Sequence, residues 1–146
     1  MLFMTTLTAP RPASVPPRLA AMAALPALKQ VATIRKGIPA VVFDQIAAAL
    51  GLGKEALALK LNINAQTLRK RKSRVLSPDE AEKSLRATRV FVAASKVLGS
   101  DEEARQWMGE AVMALGGKRP VDLLDTDVGS QEVVNLLNCI KWGVYA

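Results

Sequence analysis

Apolar residues recur along this chain at intervals of three and four, and no segment shows the strict alternation of a half-buried strand. Residues 39–50 place Val42, Phe43, Ile46, Ala49 and Leu50 at helical spacing, with Pro39 suited to a first helical position and Gly51 to a stop. Residues 54–61 predict a short helix with Ala58 and Leu61 inward. Asn62-Ile63-Asn64 then reads as a tight turn, and a third helix runs from Ala65 to about Val75 with Asn64 as its cap. Ser77-Pro78-Asp79-Glu80 combines a serine cap, a proline at the first position and a glutamate three residues on, the pattern of a capping box. The helix it opens should be the longest, ending near Leu98 at Gly99, with Ala87, Phe91, Ala94 and Leu98 as its stripe and Ala81, Leu85 and Val92 beside it.

Ser100-Asp101-Glu102-Glu103 repeats that logic for a helix bearing Ala104, Trp107, Met108, Ala111 and Leu115, ended by Gly116-Gly117. A short helical piece surrounds residues 121–124. Ser130 is the expected cap of a last helix that turns Val133, Leu136, Leu137 and Ile140 inward. Every predicted element is helical, so the expected fold class is all-α. The expected domains are an N-terminal arm at 1–36, partly disordered, a helix-turn-helix unit at 37–76 and a second helical domain at 77–146.

Composition narrows the chemistry. Half of the 146 residues are apolar and only 4% are aromatic, which suits close helix–helix packing. Histidine is absent, removing the commonest general base and zinc ligand. Cys139, the single cysteine, can form no internal disulfide, which fits a reducing compartment and a cytoplasmic location. The apolar run at 19–28 is too short to cross a bilayer. Pro26 within it, with Pro10, Pro12, Pro16 and Pro17 ahead, speaks against a secretory leader, and residues 1–18 read as a disordered arm.

Charge is unevenly shared. Residues 1–76 hold twelve Lys/Arg against two Asp/Glu, and residues 77–146 hold eight against eleven. A basic front half and a mildly acidic back half point to a polyanion as one partner and something different as the other. Residues 54–75 have the layout of a helix-turn-helix: a small residue, Ala58, where two helices approach, and Asn62 at a turn that wants a left-handed conformation. Ile63 and Leu68 anchor the second helix. Five of the six residues 69–74 are basic. Gln66, Thr67 and Lys70, near the helix start, are the candidates for base edges, and Arg69, Arg71, Lys72 and Arg74 for backbone phosphates.

The back half carries a resemblance. Trp107, Leu115-Gly116-Gly117, Pro120, Asp122-Leu123-Leu124, Thr126, Gly129, Val133 and the closing Gly143-Val144-Tyr145-Ala146 resemble the toxin-binding domain of the Xre/MbcA/ParS antitoxins. Thr67-Leu68-Arg69 and Leu76 resemble that family's front part, so the likeness covers roughly residues 37–146. Ala111 and Val112 stand where family members often have proline and then asparagine, which should lengthen or straighten the Trp107 helix. The resemblance implies an antitoxin of a type II pair that neutralises a RES-domain toxin, one that consumes NAD⁺ or transfers its ADP-ribose, and represses the shared operon at operator DNA. Lys141, Trp142, Gly143, Val144, Tyr145 and Ala146 are then the segment that covers the toxin's active site. A homodimer within a larger toxin–antitoxin complex is expected, with no cofactor and no metal.

Residue chemistry alone leaves some of this open. Trp107, on an apolar stripe, reads as core. Trp142 and Tyr145 either anchor a partner or fold back to plug the last helix. Catalysis is disfavoured: Asp101, Glu102 and Glu103 are consecutive at a helix start, and Cys139 has no histidine to activate it. Gly116-Gly117 also lacks the strand-to-helix setting of a phosphate loop. The other reading is a stand-alone repressor whose back half only dimerises.

Overall fold

The computed structural model describes residues 15–70 and 75–143, and of Lys70 the backbone alone. Those residues form eight α-helices and two 3₁₀ turns; apart from two isolated bridge pairs, no β-structure occurs among them. The all-α expectation therefore holds.

α1 (Pro17–Ala24) and α2 (Ala27–Lys36) form a bent pair laid against the long helix α6 (Pro78–Leu98). Residues 15–18 depart from the expected disordered arm, and residues 1–14 of that arm lie outside the described residues. The reason is apolar burial: Leu19 is 1% exposed within the main core, and the Val15 amide donates to Asp101 Oδ2 at 2.6 Å. Gln30 is buried at the corner and fully used. Its Nε2 donates to the carbonyls of Leu25 and Ala23 at 2.8 and 3.3 Å, while its Oε1 accepts from Arg89 at 2.9 Å. A buried amide satisfied this way fixes the corner's position rather than weakening the core.

α3 (Val41–Ala49), α4 (Lys54–Lys60) and α5 (Ala65–Lys70) make the tri-helical front unit. Val42, Phe43, Ile46 and Ala49 are buried, as their spacing requires. Pro39 precedes the helix instead of opening it, because it pairs in an antiparallel bridge with Val75. The Leu76 amide donates to the Ile38 carbonyl at 2.8 Å alongside. That pairing places Val75 in a bridge and not in the third helix, whose described part is Ala65–Lys70.

α6 is the mast of the molecule, touching α1, α2, α3, α7 and α8. Ser77 caps it through the reciprocal box: the Glu80 amide donates to Ser77 Oγ at 3.2 Å and the Ser77 amide to Glu80 Oε1 at 2.8 Å. Gly99, at φ 100°, ends it in the left-handed region. Ala81, Leu85, Ala87, Phe91 and Ala94 are buried along its inner face.

α7 (Asp101–Met108) begins at the expected Ser100 cap, whose Oγ accepts from the Glu103 amide at 3.2 Å. It ends seven residues early, at Gly109, and so is neither longer nor straighter. Val112 takes an extended conformation and pairs with Lys118, its amide donating to the Lys118 carbonyl at 3.0 Å. A 3₁₀ turn, Met113–Leu115, fills the resulting loop, leaving Ala111 exposed and Trp107 only partly buried against the core.

A second 3₁₀ turn, Pro120–Leu123, leads into α8 (Asp127–Lys141). The cap is Thr126, not Ser130: Thr126 Oγ1 accepts from the Gly129 amide at 2.9 Å. Ser130 lies inside the helix, 4% exposed, on the same face as the buried Val133 and Leu137.

Candidate functional site

The turn between α4 and α5 adopts the geometry a helix-turn-helix needs. Ala58 is fully buried where the helices approach, and Asn62 sits at φ 55°, the one positive-φ residue other than glycine among those described. The turn is latched to the mast, for Lys83 Nζ donates to the Asn62 carbonyl at 3.0 Å while pairing with Asp79 at 3.1 Å. Asn64 caps α5 through its Oδ1, which accepts from the Thr67 amide at 3.0 Å. Ile63 is buried and Leu68 packs against the core, so the opposite side of α5 faces outward.

That outward side holds Gln66, Thr67 and Arg69, all exposed. Arg69 pairs with Glu55 at 3.7 Å, each side chain 63% exposed, a contact too solvated to hold the guanidinium against a phosphate. The Lys70 backbone continues the helix. Arg71, Lys72 and Arg74 lie outside the described residues.

At the other end of the chain, α8 finishes at Lys141, and Trp142 stands 73% exposed beyond it. Lys141 Nζ lies 5.3 Å from the Trp142 ring centroid, a cation–π contact. Trp142 therefore does not plug the helix. Gly143 follows in the left-handed region at φ 66°. Val144, Tyr145 and Ala146 lie outside the described residues.

Two family models match the chain in succession. One, described as the antitoxin Xre-like helix-turn-helix domain, covers residues 29–89; the other, the antitoxin Xre/MbcA/ParS C-terminal toxin-binding domain, covers residues 93–143. The chain belongs to the Xre/MbcA/ParS family of antitoxins. Curated relatives agree. An antitoxin Xre of Yersinia enterocolitica is 29% identical over 119 residues, 80% of each chain. Another, of Photorhabdus laumondii, is 28% identical over 116 residues, 77% of this chain and 78% of the relative. A Sphingobium protein named Prs ADP-ribosylating antitoxin is 26% identical over 128 residues, 80% of each chain.

In this antitoxin the two matched domains share one helix, α6, which runs unbroken across their junction. They also share an ion pair that sequence reasoning missed. Asp122, read in the sequence only as part of the Asp122-Leu123-Leu124 run of the family likeness, accepts from Lys60 of α4 at 2.5 Å and from Arg119 at 2.9 Å. Burial by itself would raise its pKa; the hydrogen bonds from Lys60 and Arg119, and their charges, outweigh that and leave it below the ordinary carboxylate value. No sequence signal links positions 62 residues apart, so this contact was visible only in the fold. Among the described residues no group of three or more His, Cys, Asp or Glu is placed to hold a metal ion, and no helix is long and apolar enough to cross a membrane.

Proposed function

We propose that this antitoxin neutralises a RES-domain toxin by laying residues 141–146 over its active site, and represses its own operon by setting α5 in the major groove of operator DNA. The observation that carries the proposal is the pairing of a helix-turn-helix domain with a toxin-binding domain in one chain. In support of the toxin contact, Trp142 is a large aromatic side chain left outside the core at the domain's end, the residue type that anchors interfaces. The Sphingobium relative's name couples an antitoxin with ADP-ribosylation, in keeping with a toxin that uses NAD⁺.

On DNA, Gln66, Thr67 and Lys70 read base edges while Arg69, Arg71, Lys72 and Arg74 hold phosphates. Operator half-sites related by a two-fold axis would be met by a pair of antitoxin chains.

Two measurements test the halves separately. A truncation lacking residues 142–146, co-expressed with the cognate toxin in a growth assay, should fail to protect while still shifting a promoter fragment. An R71A/K72A double variant should protect normally, bind the promoter more weakly and show a salt slope shallower by about 2, each phosphate contact contributing roughly 0.9. A protective truncation defeats the tail assignment, and unchanged promoter binding defeats that of the basic helix.

A further inference from the structure

Arg86, Arg89, Val90, Ala93 and Lys96 are each three or four residues from another of the set and so share one face of α6. Asp127, Ser130, Gln131 and Val134 do the same on α8. The two stripes line an open cavity of about 520 Å³, with Ala23 of α1 at one side. That volume is within the range of small-molecule sites, roughly 300–1,000 Å³.

Two polar atoms in this wall are buried without a hydrogen-bond partner. One is Oγ of Ser130, a residue 4% exposed; the other is Nε of Arg86, whose Nη1 donates weakly to the Leu124 and Asp125 carbonyls at 3.4 and 3.5 Å and whose nearest ion-pair oxygen, on Asp127, is 4.0 Å from Nε. An unpaired buried donor is unfavourable until some acceptor reaches it. The wall is also cationic. Arg89 gives one bond to Gln30, and neither it nor Lys96 has a carboxylate partner among the described residues. The one acidic group in the lining, Asp127, is 83% exposed and held in water. Guanidinium forks beside a hydroxyl suit the oxygens of a phosphate. Arg86 and Lys96 lie about 15 Å apart along the helix axis, further than one phosphate spans, and Val90, Ala93 and Val134 make the surface between them apolar.

We propose that this cavity binds a nucleotide-sized phosphate ester. Its phosphate meets Arg86, Arg89 and the Ser130 hydroxyl, its body rests on Val90, Ala93 and Val134, and Lys96 faces its far end. The site is independent of the toxin-covering tail, since Ser130 and Lys141 are about 16 Å apart along α8.

ADP is the probe, titrated calorimetrically into the full chain at fixed ionic strength. The titration is repeated in the R71A/K72A background so that the basic helix contributes nothing. Saturable one-to-one binding is expected in both, weakened about tenfold by Arg89→Gln, by Lys96→Gln and by Ser130→Ala. Circular dichroism of each variant should match the parent. Inorganic phosphate should compete with ADP, though more weakly. Heats no larger than those of a sodium chloride control, binding lost in the R71A/K72A background, or affinity unchanged by both charge substitutions would each overturn the proposal.

Discussion

Gly129 shows how one residue can be fixed by a contact its sequence neighbours do not reveal. It lies in the first turn of α8, where alanine would normally be the better helix former by about 1 kcal/mol. A Cβ there would fall 2.3 Å from the Leu123 carbonyl oxygen and 2.9 Å from Thr126 Oγ1. The first of these is backbone and has no rotamer by which to yield, so the clash must displace the Thr126 cap or the 3₁₀ turn before it. Gly129→Ala should therefore destabilise the fold by about 1–3 kcal/mol, the usual cost of overpacking, despite its favourable propensity. Urea denaturation followed by circular dichroism measures this, and a neutral or stabilised variant would mean that the turn relaxes freely. Asn62 is the opposite case. Its left-handed φ of 55° follows from the turn pattern alone, since asparagine is the non-glycine residue that tolerates that region best.

Helix starts and stops were legible wherever they depend on neighbouring residues. Ser77-Pro78-Asp79-Glu80 and Gly99 bound α6 as read, because a capping box and a left-handed stop are complete within four residues. Ser77→Ala removes the acceptor for the Glu80 amide and should cost about 1 kcal/mol, read as a lower midpoint in the same denaturation experiment with an unchanged slope. Ends that depend on partners further away were not legible. α7 stops at Met108 because Val112 pairs with Lys118, and α8 starts at Asp127 because Thr126 reaches the Gly129 amide; Ser130, an equally good cap by type, is needed inside. α1 was not legible, because the prolines before it favour an irregular arm and the burial of Leu19 depends on the distant mast helix. The same division runs through the site. The α4–α5 turn and its outward residues could be read from 22 consecutive positions, whereas the α6–α8 cavity joins stripes more than thirty residues apart.

The two domains of this antitoxin are joined by more than the shared mast. Lys60 belongs to the helix-turn-helix unit and Asp122 to the toxin-binding domain, so their ion pair ties the first helix of the DNA-reading motif to the turn preceding α8. Arg86, from the mast, donates weakly to the Leu124 and Asp125 carbonyls at 3.4 and 3.5 Å just beyond, holding the same turn from the other side. Because the folded pKa of Asp122 lies below its unfolded value, its ionised form adds stability. That contribution is complete above the unfolded pKa, about 3.9, and disappears as pH falls through the folded one. Asp122→Asn should therefore lower the melting temperature at pH 7, and the gap from the parent should close as both are acidified below about pH 4. The carboxylate is 35% exposed, so solvent screens part of the attraction and 1 M salt should narrow the gap at pH 7 as well. Melting curves of the two proteins from pH 7 to pH 3, at low and high salt, decide the matter: a gap constant across that range would mean the substitution acts through packing, and that charge does not hold the two domains in register.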